Sequence, residues 1–440
     1  MTVEEPQEST TTADDAAGPA TASPDAEVVP FLEPRDGVPP VVTDAAALVD
    51  AAARIAAGTG PVAIDAERAS GYRYGQRAYL VQLRRAGSGT LLVDPDAVSP
   101  LDPLAEALTG TEWVLHAASQ DLPCLEEIGL RPTALFDTEL AGRLLGHPRV
   151  GLAALTESVL GYRLEKGHAA VDWSTRPLPE PWLRYAALDV EALVELRDAL
   201  AEQLVEQGKL AWAEQEFQHL IATAISAPRV DPWRRTSGMH RVRKRRGLAA
   251  VRELWLVRDQ MARDRDVAPG RILPDSAIVA AAQAMPAGRD ALTELPVFGG
   301  RATRRLADRW MVAIDRARDL PESELPPLAL ASNAPPPARS WSDKDPDAAA
   351  RLALLRPAVS ALADEHRLPT ENLLTPDTLR RIAWQPPADP SEAGVAAALR
   401  ERGARDWQIE LTARAIAKGL ARWATTHQTA SDDPGHSPDR

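Results

Sequence analysis

The sequence predicts an α/β domain on a mixed sheet, followed by two all-α helical domains. Three observations lead there. Short apolar runs bounded by turn residues crowd into residues 61–116. Beyond residue 119 helical periodicity takes over. Two breaks, a basic one at 228–246 and a proline-rich one at 320–347, divide the helical part into blocks. A chain of 440 residues fits that division, since domains run to roughly 150 residues each.

The elements follow in order. Thr43 caps a helix over 43–58 with Asp44 in its first turn, and Gly58-Thr59-Gly60 ends it. Pro61 to Asp65 is a first strand, Ala78 to Leu83 a second and Thr90 to Val93 a third. Gly87-Ser88-Gly89 between the last two predicts a hairpin. A helical segment from Leu101 to Leu108 leads to a fourth strand, Trp113 to His116, and helix resumes from Ser119 to Ile128. From Leu135 to Gln207 helical patterns dominate, broken at 146–151 and 176–181. Helical patterns occupy 247–263, 275–284, 288–294 and 301–317, and a last helical block runs from 347 to 424. The two C-terminal blocks are alike in size and helical content, which permits a distant duplication. Residues 1–40 and 426–440, rich in Ala, Thr, Ser, Pro and Asp, read as disordered tails.

The net charge of −13 taken alone argues against a nucleic-acid partner. Its distribution reverses that. Residues 1–45 carry −9 and the C-terminal tail −2, so the body is nearly neutral. Within the body, residues 46–228 carry −10 and 229–320 carry +9. An acidic block beside a basic one suits a metal-binding catalytic domain joined to one that grips nucleic acid. From charge alone, chance fluctuation and solvated helix faces are the simpler reading. The single cysteine, Cys124, excludes an intramolecular disulfide and a multi-cysteine zinc site. With no apolar run of 18 residues, no membrane span is expected, and the polar N-terminus points to the cytoplasm.

Three patterns carry chemistry. Asp65-Ala66-Glu67 ends the first strand, so both carboxylates face one side and can share a hard cation. Asp121 follows the fourth strand, in the first turn of a helix, where a carboxylate also suits the helix dipole. Tyr185 and Asp189 lie one helical turn apart, on one face. Singly, each reads as ordinary strand-end or helix polarity. His116 reads as a strand-end packing residue, and Cys124 as core.

Together and in this order, the patterns resemble the DEDD family of 3′–5′ exonucleases, in the subgroup with tyrosine in its third motif. The runs Asp172 to Pro179, Tyr185 to Val190 and His116 to Leu125 resemble ribonuclease D. Residues 231–317 resemble the HRDC domain through Asp231 to Arg235, Arg252 to Trp255, Arg258-Asp259 and Pro269 to Asp275. Residues 347–424 are similar to a second, more divergent HRDC-like domain, with Leu368 to Leu374 and Gly403 to Gln408 quoted for it. The resemblance implies a ribonuclease H-like exonuclease domain over 41–227, an HRDC domain with a basic lead-in over 228–320, a proline-rich linker over 321–346 and a second HRDC-like domain over 347–425.

The resemblance also implies two divalent ions, Mg²⁺ or Mn²⁺, held by Asp65, Glu67, Asp121 and Asp189, with Tyr185 positioning the attacking water. Two metals ~3.5–4 Å apart stabilise both the attacking and the leaving oxygen. The product is a nucleoside 5′-monophosphate, and the partner is RNA with a 3′ end, such as a tRNA precursor, bound by a monomer. Arg68, Arg73 and Arg77 with Tyr72 and Tyr74, then Lys166 and Arg176, are candidates for RNA contact. The basic run Arg241, Arg243, Lys244, Arg245 and Arg246 is the densest. Two other readings remain open from sequence: a Werner-type DNA exonuclease, and an inactive RNA-binding or scaffold protein.

Overall fold

The computed structural model describes residues 29–164, 167, 170–224, 230–298, 300–330 and 333–431. Its N-terminal part contains β1 (Val29–Phe31), β2 (Val41–Val42), α1 (Ala45–Ala57), β3 (Thr59–Arg68), β4 (Ala78–Ala86), β5 (Gly89–Val93), β6 (Glu112–Leu115), β7 (Ala134–Asp137), α2 (Thr138–Leu145) and β8 (Tyr162–Leu164). A six-stranded sheet runs in the order β2-β5-β4-β3-β6-β7. β3, β4 and β5 are antiparallel neighbours, whereas β6 is parallel to β3, β7 to β6 and β2 to β5, so the sheet is mixed. The β4–β5 turn is the expected hairpin, with Gly87 at φ +85.

Alternation along β3 sorts its side chains. Ile64 and Ala66 enter the main core. Asp65 and Glu67 point to the other face, where Leu80, Leu92, Trp173 and Ala186 form a smaller apolar cluster. Helix α3 (Glu180–Glu191) lies across that face, followed by α4 (Leu193–Glu206) and α5 (Leu210–Thr223).

Two short strands depart from the expected helical run. β7 pairs with β6 at the sheet edge, and β8 pairs with β1. Apolar runs of four residues or fewer cannot be told from helix by period alone. The β1–β8 pairing also corrects the N-terminal tail. Residues 29–40 are folded onto the domain: Phe31 stacks on Tyr162 at 5.3 Å, Glu33 pairs with Arg184 at 3.0 Å and Arg35 pairs with Glu195. At the other end, residues 426–431 continue the last helix. The remainder of both expected tails, 1–28 and 432–440, lies outside the described residues.

The helical part contains α6 (Arg245–Asp264), α7 (Pro269–Ile272), α8 (Asp275–Ala284), α9 (Arg301–Arg305), α10 (Ala307–Asp319), α11 (Pro346–Glu365), α12 (Thr370–Leu373), α13 (Pro376–Trp384) and α14 (Asp406–Ser431). Helices α6, α7 and α8 have 20, 4 and 10 residues, and α11, α12 and α13 have 20, 4 and 9. The starts of the two triplets keep one constant offset in sequence. The first unit closes its own core around Trp233, Leu254, Phe298, Trp310 and Ile314. Trp233 is buried within the segment read as a linker, so its residues from 232 onward belong to the fold. The second unit, with Trp341, Leu355, Trp407 and Ile416, shares the core of the sheet domain. Trp341, likewise, is buried in what the sequence suggested was the second linker.

Both units dock on the sheet domain. Trp407 stacks on Trp212, with centroids 5.0 Å apart, and its indole N–H donates to Glu216 at 2.9 Å. On the other side, the loop after β3 meets α6 and α7. Ala268 N–H donates to Tyr72 O at 2.9 Å, Arg271 donates to Gly71 O at 2.8 Å and covers the Tyr72 ring, and Tyr74 Oη bonds Asp259 at 3.2 Å.

Candidate active site

The carboxylates converge at one end of β3. Oxygens of Asp65, Glu67 and Asp189 lie within 4.8 Å of one another. Asp65 and Glu67 reach the site from the strand, and Asp189 from α3 above it. Asp121 comes from the loop beyond β6 and lines the same cleft of about 450 Å³, as does Tyr185. Arg68 ties the two strand ends together: it donates to Gln120 O at 2.9 Å and pairs with Asp121 at 3.5 Å. Tyr185 donates its hydroxyl to Asp189, and its ring leans on the buried Trp173, 6.5 Å away.

Burial and mutual repulsion dominate the electrostatics. Burial raises Asp65 to about 6. Burial, with Asp65, Asp189 and Asp121 nearby, pushes Glu67 to about 10. Asp121 rises to about 8 by burial and the charge of Asp65, and Asp189 lies well above the usual range for the same reasons. Such a cluster is ionised together only when cations neutralise it, and an all-oxygen donor set suits hard divalent ions. Asp65, Glu67 and Asp189 can therefore hold one directly.

Asp137 escaped the sequence reading. It is buried and accepts four backbone N–H bonds, from Ala117 and Ala118 after β6 and from Glu139 and Leu140 in α2. It holds the loop carrying Asp121, where Ala117 is left-handed at φ +58. Its signal was present, since an Asp just before an apolar-periodic helix is an N-cap. His116 packs as expected: its Nδ1 lies 2.9 Å from Thr138 Oγ1, and burial lowers it to about 4. Cys124 is buried.

Several arginines read as RNA contacts are committed to the fold. Arg176 bonds Asp94 through Nε and Nη2, at 2.5 and 2.8 Å, and also the carbonyls of Tyr79, Trp173 and Thr175. Arg73 donates to Ser174 Oγ at 2.8 Å and faces Asp266. Arg77 pairs with Asp96 and Asp266 and covers the Tyr79 ring. Arg245 reaches the carbonyls of Glu322, Leu325 and Pro326, and Arg246 those of Ala317, Arg318 and Leu320 at the end of α10. Most of their partners, such as Asp94 for Arg176 and Asp266 for Arg73 and Arg77, are remote in sequence and so invisible from it. Arg241, Arg243 and Lys244 are exposed. Lys166 lies outside the described residues.

Comparison with known proteins places this geometry. Residues 39–205 match the family described as 3'-5' exonuclease, 247–314 match the HRDC domain, and 334–420 match the 3' to 5' exonuclease C-terminal domain. Ribonuclease D of Gluconacetobacter diazotrophicus is 32% identical over 339 residues, covering 74% of this chain and 82% of the relative. The chain belongs to the ribonuclease D family. Ribonuclease D of Pseudomonas paraeruginosa is 35% identical over 251 residues, or 56% of this chain and 66% of that one. Among solved structures, a protein from Bifidobacterium adolescentis superposes with a TM-score of 0.83 at 37% identity, covering 90% of this chain and all of the other. Escherichia coli RNase D shares the fold, with a TM-score of 0.65 at 24% identity over 87% of this chain and 98% of its own. As a ribonuclease D-family member the protein is a 3′–5′ exoribonuclease that uses divalent metal. No helix among the described residues is long and apolar enough to cross a membrane.

Proposed function

We propose that this enzyme trims structured RNAs, tRNA precursors among them, from the 3′ end, releasing nucleoside 5′-monophosphates. The observation that carries the reading is the convergence of Asp65, Glu67 and Asp189 within 4.8 Å, with Tyr185 bonded to Asp189. Asp65, Glu67, Asp121 and Asp189 would hold two divalent cations, Mg²⁺ or Mn²⁺. When bound, the ions supply a lowered water pKa and stabilise both oxygens of an in-line displacement. Tyr185 orients the attacking water, its hydroxyl bonded to Asp189 and its ring against Trp173. Arg68 keeps Asp121 facing the cleft. Escherichia coli RNase D, which shares the fold, is described as an exoribonuclease involved in structured RNA processing, which supports that substrate class.

With the strand at 29–31 and the buried Trp341 taken in, the chain divides best as a catalytic domain over 29–224, an HRDC domain over 230–320 and a C-terminal domain over 334–431, acting as a cytoplasmic monomer. RNA beyond the cleft would be gripped by Arg241, Arg243 and Lys244, and by Arg301, Arg304, Arg305 and Arg309 around α9, all exposed. Digestion of matched 3′-labelled RNA and DNA, with and without EDTA, tests the reading. Mononucleotide release from RNA, abolished by EDTA, is expected. Preference for DNA, or EDTA-resistant cleavage, would refute it.

A further inference from the structure

Gln82 is a buried amide in a place where an apolar side chain would fit. It lies in β4 with no exposed surface, and neither its Nε2 nor its Oε1 has a hydrogen-bond partner among the described residues. Its neighbours on the same sheet face are apolar: Leu80 two residues before it on β4, Leu92 directly across on β5, and Ala186 on α3 above. An unsatisfied buried amide costs free energy that a methionine or leucine would not.

The other neighbour explains the amide. In the antiparallel register of β3 and β4, Gln82 stands directly opposite Asp65. Opposed residues have Cβ atoms about 4.5–5.5 Å apart and point to one face. A glutamine side chain spans that distance. The Asp65 carboxylate accepts the backbone N–H of Ala66, which leaves it further acceptor sites. A carboxylate that ligates a cation presents one oxygen to it and keeps others free for hydrogen-bond donors behind. Such outer partners orient the ligand.

We infer that Gln82 is a positioning residue of the metal site: its Nε2 donates to Asp65 when that carboxylate holds a divalent cation. The inference rests on Asp65 being a cation ligand, as proposed above. Without the cation the amide has no hydrogen-bond partner among the described residues. Loading the site gives it one, so the cost of burying it is recovered on binding. Gln82 touches neither RNA nor the attacking water, and it acts through Asp65.

The test uses the full chain, freed of metal, with Mn²⁺ alone as the probe. Gln82→Met should melt at the parent temperature or higher without cation, because the unpartnered amide is gone. Its Mn²⁺ affinity, read by electron paramagnetic resonance or calorimetry, should fall about 10–100-fold. The Mg²⁺ concentration for half-maximal RNA hydrolysis should rise by the same factor, with most of the rate restored at saturating Mg²⁺. Unchanged Mn²⁺ affinity in Gln82→Met overturns the inference, whatever happens to stability. If Gln82→Met does not fold, Gln82→Asn, which withdraws the amide by one methylene, is read in the same way. Asp65→Asn separates the two levels. Loss of Mn²⁺ binding there, with normal binding in Gln82→Met, removes only the role of Gln82. Parent-like binding in Asp65→Asn removes the reading of Asp65 itself.

Discussion

Asp266 and Arg367 occupy equivalent turns of the two helical units, each left-handed, at φ +46 and +52, and each turn rests on the sheet domain. Asp266 follows α6 and receives Tyr74 N–H at 3.3 Å as well as Arg73 and Arg77. Arg367 follows α11, beside His366, whose carbonyl accepts Lys209 Nζ at 2.8 Å. The matched helix lengths and offset make the two units a structural repeat. The repeat uses one turn to grip the catalytic domain from two sides, and on the first side it grips the loop that leaves Glu67.

The second contact is tight enough to predict a defect. Gly146 is left-handed at φ +82, and a Cβ built there would lie 2.6 Å from Arg367 O. Gly146→Ala therefore adds a left-handed cost of about 1–2 kcal/mol to a clash with backbone. Denaturant melts should show a loss of at least that size. Hydrogen exchange should rise along α5 and α14 and stay unchanged in the HRDC domain.

On the first side, Asp266→Ala removes an acceptor from Tyr74 N–H and the partner of two half-exposed arginines, at a cost of about 0.5–1.5 kcal/mol. Faster exchange in residues 69–77, with the HRDC core still protected, is the expected signature. Unaltered exchange in that loop would mean that the turn does not anchor it.

Arg84 and Glu191 secure α3 from beneath. They pair at 2.9 Å, with the Glu191 side chain fully buried, and Thr90 also reaches that carboxylate at 3.3 Å. Removing one partner of a buried pair typically costs about 3–5 kcal/mol. Glu191→Ala should fall at the low end, because Arg84 keeps Asp36 and Thr90 as partners. Since α3 carries Tyr185 and Asp189, exonuclease activity should drop with stability. Glu191→Gln, which can still accept from Thr90, should lose less of both.

These relationships show what the sequence could carry. Asp65 and Glu67 were legible because strand alternation puts them on one face, and Tyr185 with Asp189 because one helical turn does the same. Asp121, which alone reads as helix-end polarity, became legible only within the ordered set that resembles the DEDD family. Arg73, Arg77, Arg176, Arg245 and Arg246 were read as RNA contacts from charge alone, and their partners within the protein, most of them distant in the chain, could not be seen from it. Residues 29–40 misled for a related reason: their composition is that of a tail, and their order comes from β8 and α3. Gln82 was silent within an apolar strand until the register set it against Asp65.

The raised carboxyl groups predict how cation-free stability depends on pH. In the folded state Asp65 lies near 6 and Asp121 near 8, against about 3.9 for an ordinary Asp. The folded protein thus binds protons more tightly than the unfolded chain, and their contribution to stability is full below about pH 4. It is lost as pH rises through 6 and then 8. Melting in EDTA should therefore weaken progressively from pH 5 to 9 once other groups are matched by the Asp65→Asn, Asp121→Asn variant, which should show a flatter profile. Mg²⁺ should raise the melting temperature more at pH 8 than at pH 6, because only the ionised cluster attracts it. Equal profiles for parent and variant would contradict the electrostatics of the site.

Catalysis separates the ligand from the residue that orients water. Asp189→Asn should abolish release of mononucleotides while leaving the fold intact, because a neutral amide neither holds a hard cation nor accepts the Tyr185 hydroxyl as strongly. Tyr185→Phe keeps the four carboxylates and the packing on Trp173, and loses only the hydroxyl. Its turnover should fall by roughly 10²-fold, with Mn²⁺ affinity near that of the parent. Rate and cation binding should thus fall together in Asp189→Asn and part company in Tyr185→Phe. Joint loss in both would place Tyr185 in support of the cation site instead of over the water.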